Sequence, residues 1–98
     1  MDNKSWNKMP LLEQTSNIYG EIERFIREKK QSSYVMAIKL LNYTINDPKH
    51  IKHQEEFIYA RIELEEYKNE NNRDYLKERE KSILVYWSDW VYYFVKEF

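Results

Sequence analysis

PLLEQTSNIYGEIERFIREKK, residues Pro10 to Lys30, repeats its apolar side chains with the period of a helix rather than a strand. Leu11, Thr15, Ile18, Ile22 and Phe25 recur at spacings of four, three, four and three, and Leu12, Tyr19 and Ile26 widen the stripe. Pro10 suits a first helical turn, where its missing N–H is no loss. Arg27, Lys29 and Lys30 complement the carbonyl pole at the other end. Gly20, inside the helix, costs about 1 kcal/mol relative to Ala, which points to a close crossing with a neighbour.

Outward from this segment the same period continues. Gln31, Ser32 and Ser33 read as a connection whose serines cap a second helix, about 33–46, with Tyr34, Ile38, Leu41 and Ile45 as its stripe and Ala37 beside it. Asn46, Asp47 and Pro48 stop that helix, and Asp47 is placed to cap a third, about 48–69, that begins on Pro48. The third helix is apolar on two sides: Ile51, Ile58 and Ile62 share one, while Phe57, Ala60, Leu64 and Tyr67 lie nearly opposite. Two stripes imply a helix sandwiched between neighbours or one that meets another molecule. The polar run from Asn69 to Asp74 reads as a loop, with Asp74 as cap of a fourth helix, about 74–97. The alternative is that helices three and four run on as one.

The fourth helix carries ILVYWSDWVYYFV, Ile83 to Val95, in which only Ser88 and Asp89 are plainly polar. Leu76, Ile83, Trp87, Trp90 and Phe94 centre one face, extended by Leu84, Val91 and Phe98. Tyr75, Tyr86 and Tyr93 line the margin. Val85 and Tyr92 fall on the far side beside Lys81, Ser88 and Lys96, where a bundle helix has no structural need for apolar residues.

One Gly and two Pro in 98 residues leave few of the turns that a β or α/β domain requires. The expected fold class is therefore all-α: a small antiparallel four-helix bundle, one domain over residues 1–98 with residues 1–9 a polar N-terminal segment. With 34% charged residues and Asp89 inside its most apolar stretch, the chain offers no membrane span. It has no cysteine, hence no disulfide, thiolate zinc site or cysteine nucleophile, and its start, MDNKSWNKMP, lacks the apolar core of a secretory signal. It reads as cytoplasmic.

Charge and motif exclude several chemistries. Residues 1–53 hold nine Lys/Arg against six Asp/Glu, and residues 54–98 hold seven against eleven, a mild dipole without the basic excess of a nucleic-acid binder. Basic residues do accompany aromatics in RFIREKK (Arg24–Lys30), and basic residues cluster in KHIKH (Lys49–His53), but a helix terminus and a hydrated helix start account for them. His50 and His53 have the third-residue spacing of a two-ligand metal site. No second acidic-histidine helix completes such a site, so the pair reads as solvent-facing and no metal or cofactor is expected. The serines sit in no nucleophile elbow, Glu63, Glu65, Glu66 and Glu70 read as a solvated face, and a single glycine cannot build a phosphate loop. No enzyme is expected.

What remains is apolar surface beyond the needs of one core, and the expected role is stoichiometric binding of another protein. Tyr and Trp are over-represented at such interfaces. The candidate binding residues are Val85, Tyr86, Tyr92 and Tyr93 on the fourth helix and Phe57, Leu64 and Tyr67 on the third. Proteins of this make include inhibitors, antitoxins, immunity proteins and accessory proteins of phages or plasmids. In length, absence of cysteine and four-helix layout the chain is similar to the immunity proteins of pediocin-like bacteriocins, which tend to be basic where this chain is mildly acidic. No motif is shared with them. A homo-oligomer that buries the spare stripe against its own copy is the alternative, with a nucleic-acid-binding accessory protein as the third reading.

Overall fold

The computed structural model describes the backbone of residues 2–97 and the side chains of residues 2–72 and 74–93. Asp2 opens the fold by accepting the Ser5 N–H at 2.7 Å, which caps a short helix α1, Asn3–Asn7. Four long helices follow: α2 (Leu11–Glu28), α3 (Gln31–Ile45), α4 (Gln54–Asn69) and α5 (Arg73–Glu97). Among the described residues no strand occurs.

The junctions show which local signals act. Lys29 ends α2 in the left-handed region with φ 55°, a conformation usually filled by glycine. No side chain caps α3, and Ser33, expected as a cap, is buried instead. Asp47 behaves as its position before Pro48 requires, accepting from the Lys49 N–H at 3.1 Å. What it starts is a 3-10 segment, Pro48–His53, interrupted by non-helical backbone at His50, so α4 begins only at Gln54. Three residues, Glu70 to Asn72, separate α4 from α5, which are therefore distinct helices. Asn72 caps α5 through Oδ1, which accepts from Asp74 N and Tyr75 N at 3.1 and 3.3 Å. Asp74 already lies in the first turn, where its charge faces the positive pole of the helix.

Helix α2 packs on α3 and α5, and α4 closes the ring against α3 and α5. The neighbours run antiparallel. Along α3 and α4, Tyr34 lies near Lys68, Asn42 bonds Arg61, and Gln54 bonds the Ile45 carbonyl, so numbers fall on one helix as they rise on the other. Tyr67 to Glu80 and Phe57 to Trp90 show the same for α4 and α5. The bundle expected from the sequence is the observed architecture.

The core takes Ile18, Ile22, Phe25 and Ile26 from α2, Leu40, Leu41 and Ile45 from α3, and Ile83, Trp87 and Trp90 from α5. From α4 it takes Phe57, Ala60, Leu64 and Tyr67. This differs from the sequence reading of the third helix: Phe57, Leu64 and Tyr67 are buried in the core. The Phe57 ring lies 4.6 Å from that of Trp90, and Tyr67 meets Phe25 edge-on at 5.7 Å. Of the opposite stripe, Ile51 and Ile62 are exposed and Ile58 is half-buried. Phe98 and the side chain of Phe94 lie outside the described residues.

Residues 1–9 are more than a polar segment, because Trp6 of α1 is completely buried. Gly20 marks no close crossing either: a methyl group built there would meet nothing nearer than the Arg24 Nη2 at 4.0 Å.

Candidate protein-docking face

Helix α5 is built from two unlike halves of one cylinder. Inward, Ile83, Trp87 and Trp90 recur at four and three residues and are buried. Outward, Val85, Tyr86, Asp89, Tyr92 and Tyr93 form a second stripe at helical spacing, and all five are exposed. Tyr92 keeps 60% of its surface and Val85 51%, with their neighbours in the core already sheltered. The four sequence-derived candidates on this helix thus share one face, whereas the three on α4 do not reach it.

Tyr86 is anchored on the core of the same helix. Its ring lies 5.6 Å from Trp90 and 6.4 Å from Trp87, so packed indoles hold it from below. Partial burial raises its phenol pKa above the ordinary value, and the carboxylates of Glu56 and Glu63 and the phenol of Tyr59 add to the effect. Those causes place α4 beside it. Tyr59 and Ile62, both exposed, continue the apolar surface across the α4–α5 seam. Tyr75 and Arg79 extend it towards the loop: the Arg79 guanidinium sits 5.5 Å from the Tyr75 ring centre and bonds Glu66 at 2.9 Å. The tyrosine row and the neighbouring α4 surface are one continuous feature. Sequence periodicity found the row on α5 but not Tyr59, since nothing in the α4 pattern says which side meets solvent.

The two histidines part company. His50 is buried, contrary to the solvent-facing reading, and its Nε2 lies 2.6 Å from the Gln14 Oε1. Gln14 Nε2 donates to the Trp6 carbonyl at 2.7 Å, so its Oε1 is the acceptor and His50 carries its proton on Nε2. Burial lowers the His50 pKa, against an opposing pull from Asp47. His53 instead has Nδ1 3.5 Å from Glu56 Oε1 and its ring edge-on to Trp90. Among the described residues no group of three or more His, Asp or Glu stands close enough to hold a metal ion.

Arg24, Arg27, Lys29 and Lys49 of the basic runs are engaged within the chain. Arg24 pairs with Glu21, Arg27 with Glu23 at 3.6 Å, and Lys29 with Glu80 at 2.7 Å. Lys49 bonds the carbonyls of Asn7 and Met9 and lies 3.4 Å from Asp47. Among the described residues no helix is long and apolar enough to cross a membrane. Comparison with family models, with curated proteins and with solved structures finds no match in any of the three.

Proposed function

We propose that the chain is a non-catalytic helical bundle that acts by stoichiometric binding of another protein through the outer face of α5. The observation that carries this reading is the exposure of Val85, Tyr86, Tyr92 and Tyr93 along one stripe, above a core that Trp87 and Trp90 already complete. Large tyrosines anchored on a rigid helix lose little rotamer freedom on docking, which is what makes them effective contact residues. A cytoplasmic inhibitor, an immunity or antitoxin-like protein, or an accessory protein of a phage or plasmid would use such a face.

The test is photo-crosslinking in the source cells with a crosslinking amino acid at position 92, and at exposed Lys39 on α3 as control. A discrete adduct at position 92 alone supports the reading. No adduct there, or equal labelling at both positions, overturns it.

A further inference from the structure

Where α1 meets the junction of α3 with the 3-10 segment, several unfavourable burials lie together, and one small movement would relieve them. Helix α1 packs on α3, and Trp6 is its one buried residue. The rest of its attachment is polar. The indole donates to Thr44, Gln14 Nε2 donates to the Trp6 carbonyl, and the Lys49 ammonium bonds the carbonyls of Asn7 and Met9. Asn7 Oδ1 and Asp47 Oδ2 are buried and accept no hydrogen bond within the chain, and His50 is enclosed as a neutral ring.

A second proton on His50 goes to Nδ1, because Nε2 already carries the hydrogen donated to Gln14. The imidazolium so formed is poorly placed. Asp47 Oδ2, 3.8 Å from Nε2, attracts it, while Lys49 and His53 repel it and burial outweighs the attraction. Helix α2 faces the ring with the Gln14 amide and α4 with the Phe57 ring at 6.0 Å, neither of them charged. His50 also lines a surface cavity walled by Lys8, Met9, Pro10, Leu11 and Lys49. What separates the ring from water there is the link between α1 and α2, and Lys8 on that link is a further cation. This is also the lightest cover to move: α2, α3 and α4 each contribute several core residues, α1 only Trp6.

We infer that α1 is an acid-released strap: when His50 takes up a proton, residues 2–9 lift away as a unit while α2 to α5 stay folded. Lifting lets water reach His50, Asn7 Oδ1 and Asp47 Oδ2. It also joins the slot left by the indole to the shallow cavity beside it, between α2 and α3, lined by Asn17, Glu21, Arg24, Met36 and Leu40. The strap is a local opening and is independent of the α5 face and of what docks there.

The test is hydrogen exchange of the Trp6 indole N–H, read by NMR on the full chain at neutral and mildly acid pH and corrected for the intrinsic exchange rate at each. Opening coupled to one proton should become about five- to tenfold more frequent between about pH 7.5 and about pH 5.5. The backbone amides of the buried Ile22 and Ile83 should keep their protection over the same range. His50→Gln should abolish the pH dependence, whatever its level of opening, which a purely packing role for the ring would not do. Circular dichroism checks that this variant folds, and the wild-type comparison decides without it. An indole that exchanges alike at both pH values overturns the inference, and so does loss of its protection only together with that of Ile22 and Ile83. Undiminished pH dependence in folded His50→Gln also overturns it, since another group then carries the proton.

Discussion

The Trp6 indole donates to the Thr44 hydroxyl at 2.9 Å across 38 residues of sequence and so fastens the first helix to the last turn of α3. The Thr44 hydroxyl in turn donates to the Leu40 carbonyl at 2.8 Å, and the Trp6 carbonyl accepts from Gln14 Nε2, so the indole N–H, the Thr44 hydroxyl and the Trp6 carbonyl are each hydrogen-bonded. Trp6→Ala should cost about 3 to 5 kcal/mol by opening a cavity. Trp6→Phe should cost less, about 1 to 2 kcal/mol, mainly for the lost hydrogen bond. Urea denaturation of both variants measures the difference, and equal cost would show that the ring's packing adds nothing beyond the hydrogen bond.

His50 ties the same network to pH. Its folded pKa lies below the ordinary 6.5 because burial disfavours the imidazolium. Between those two values the unfolded chain binds the extra proton, so stability rises with pH there. The contribution is complete above about pH 6.5 and is lost progressively as pH falls towards the folded pKa. Thermal melts from pH 8 to 5 should therefore show a decline that begins near the histidine range. His50→Gln should flatten that part of the profile, even though it lowers stability throughout.

How far the sequence could be read follows from which interactions are local. The α2 stripe of Ile18, Ile22 and Phe25 and the Asp47 cap before Pro48 depend on neighbours within a turn and are found, although the segment that Asp47 caps is 3-10 and α4 itself begins only at Gln54. The choice between the two apolar sides of α4 depends on Trp90 and Phe25, which belong to other helices, so Phe57, Leu64 and Tyr67 looked no more buried than Ile51, Ile58 and Ile62. Helix α1 carries a single apolar anchor, Trp6, and a lone residue has no period. The burial of His50 needs Gln14, 36 positions away. On α5, by contrast, inner and outer stripes differ in kind, indoles against tyrosines, and the exposed face was legible because the helix is long enough to show both.

Gly20 occupies an ordinary helical conformation, and a methyl group there would make only an ordinary contact with the flexible Arg24 side chain at 4.0 Å. Gly20→Ala should stabilise the protein by about 1 kcal/mol, because alanine both favours the helix and restricts the unfolded chain. A rise in the melting temperature with an unchanged helical spectrum checks this. A fall would reveal a neighbour that cannot give way.

Lys29 combines a strained backbone with a useful side chain. Its φ of 55° disfavours any residue with a Cβ, yet its ammonium bonds Glu80 Oε1 at 2.7 Å and lies 3.3 Å from the Tyr67 hydroxyl. Burial alone would raise the Glu80 pKa, but the hydrogen bonds from Lys29 and Tyr67 outweigh it and hold the carboxyl below its ordinary value. Lys29→Ala and Lys29→Gly remove the same contacts, so their difference isolates the backbone. The glycine variant should be the more stable of the two by about 1 kcal/mol. Equal denaturation midpoints would mean that the turn carries no measurable strain.

The outer and inner stripes of α5 should separate cleanly under mutation. Trp90 is buried between Phe57 and Trp87, with ring centres 4.6 and 5.3 Å away, so Trp90→Ala should cost about 3 to 5 kcal/mol. Val85→Ser with Tyr92→Ala removes more than half-exposed groups and should change stability by no more than about 0.5 kcal/mol per site while weakening association. The comparison needs both readouts on each variant, because a core change that unfolds the helix also abolishes binding. Comparable unfolding of the two variants would mean that the outer tyrosines support the bundle itself, and the argument for a docking face would lose its basis.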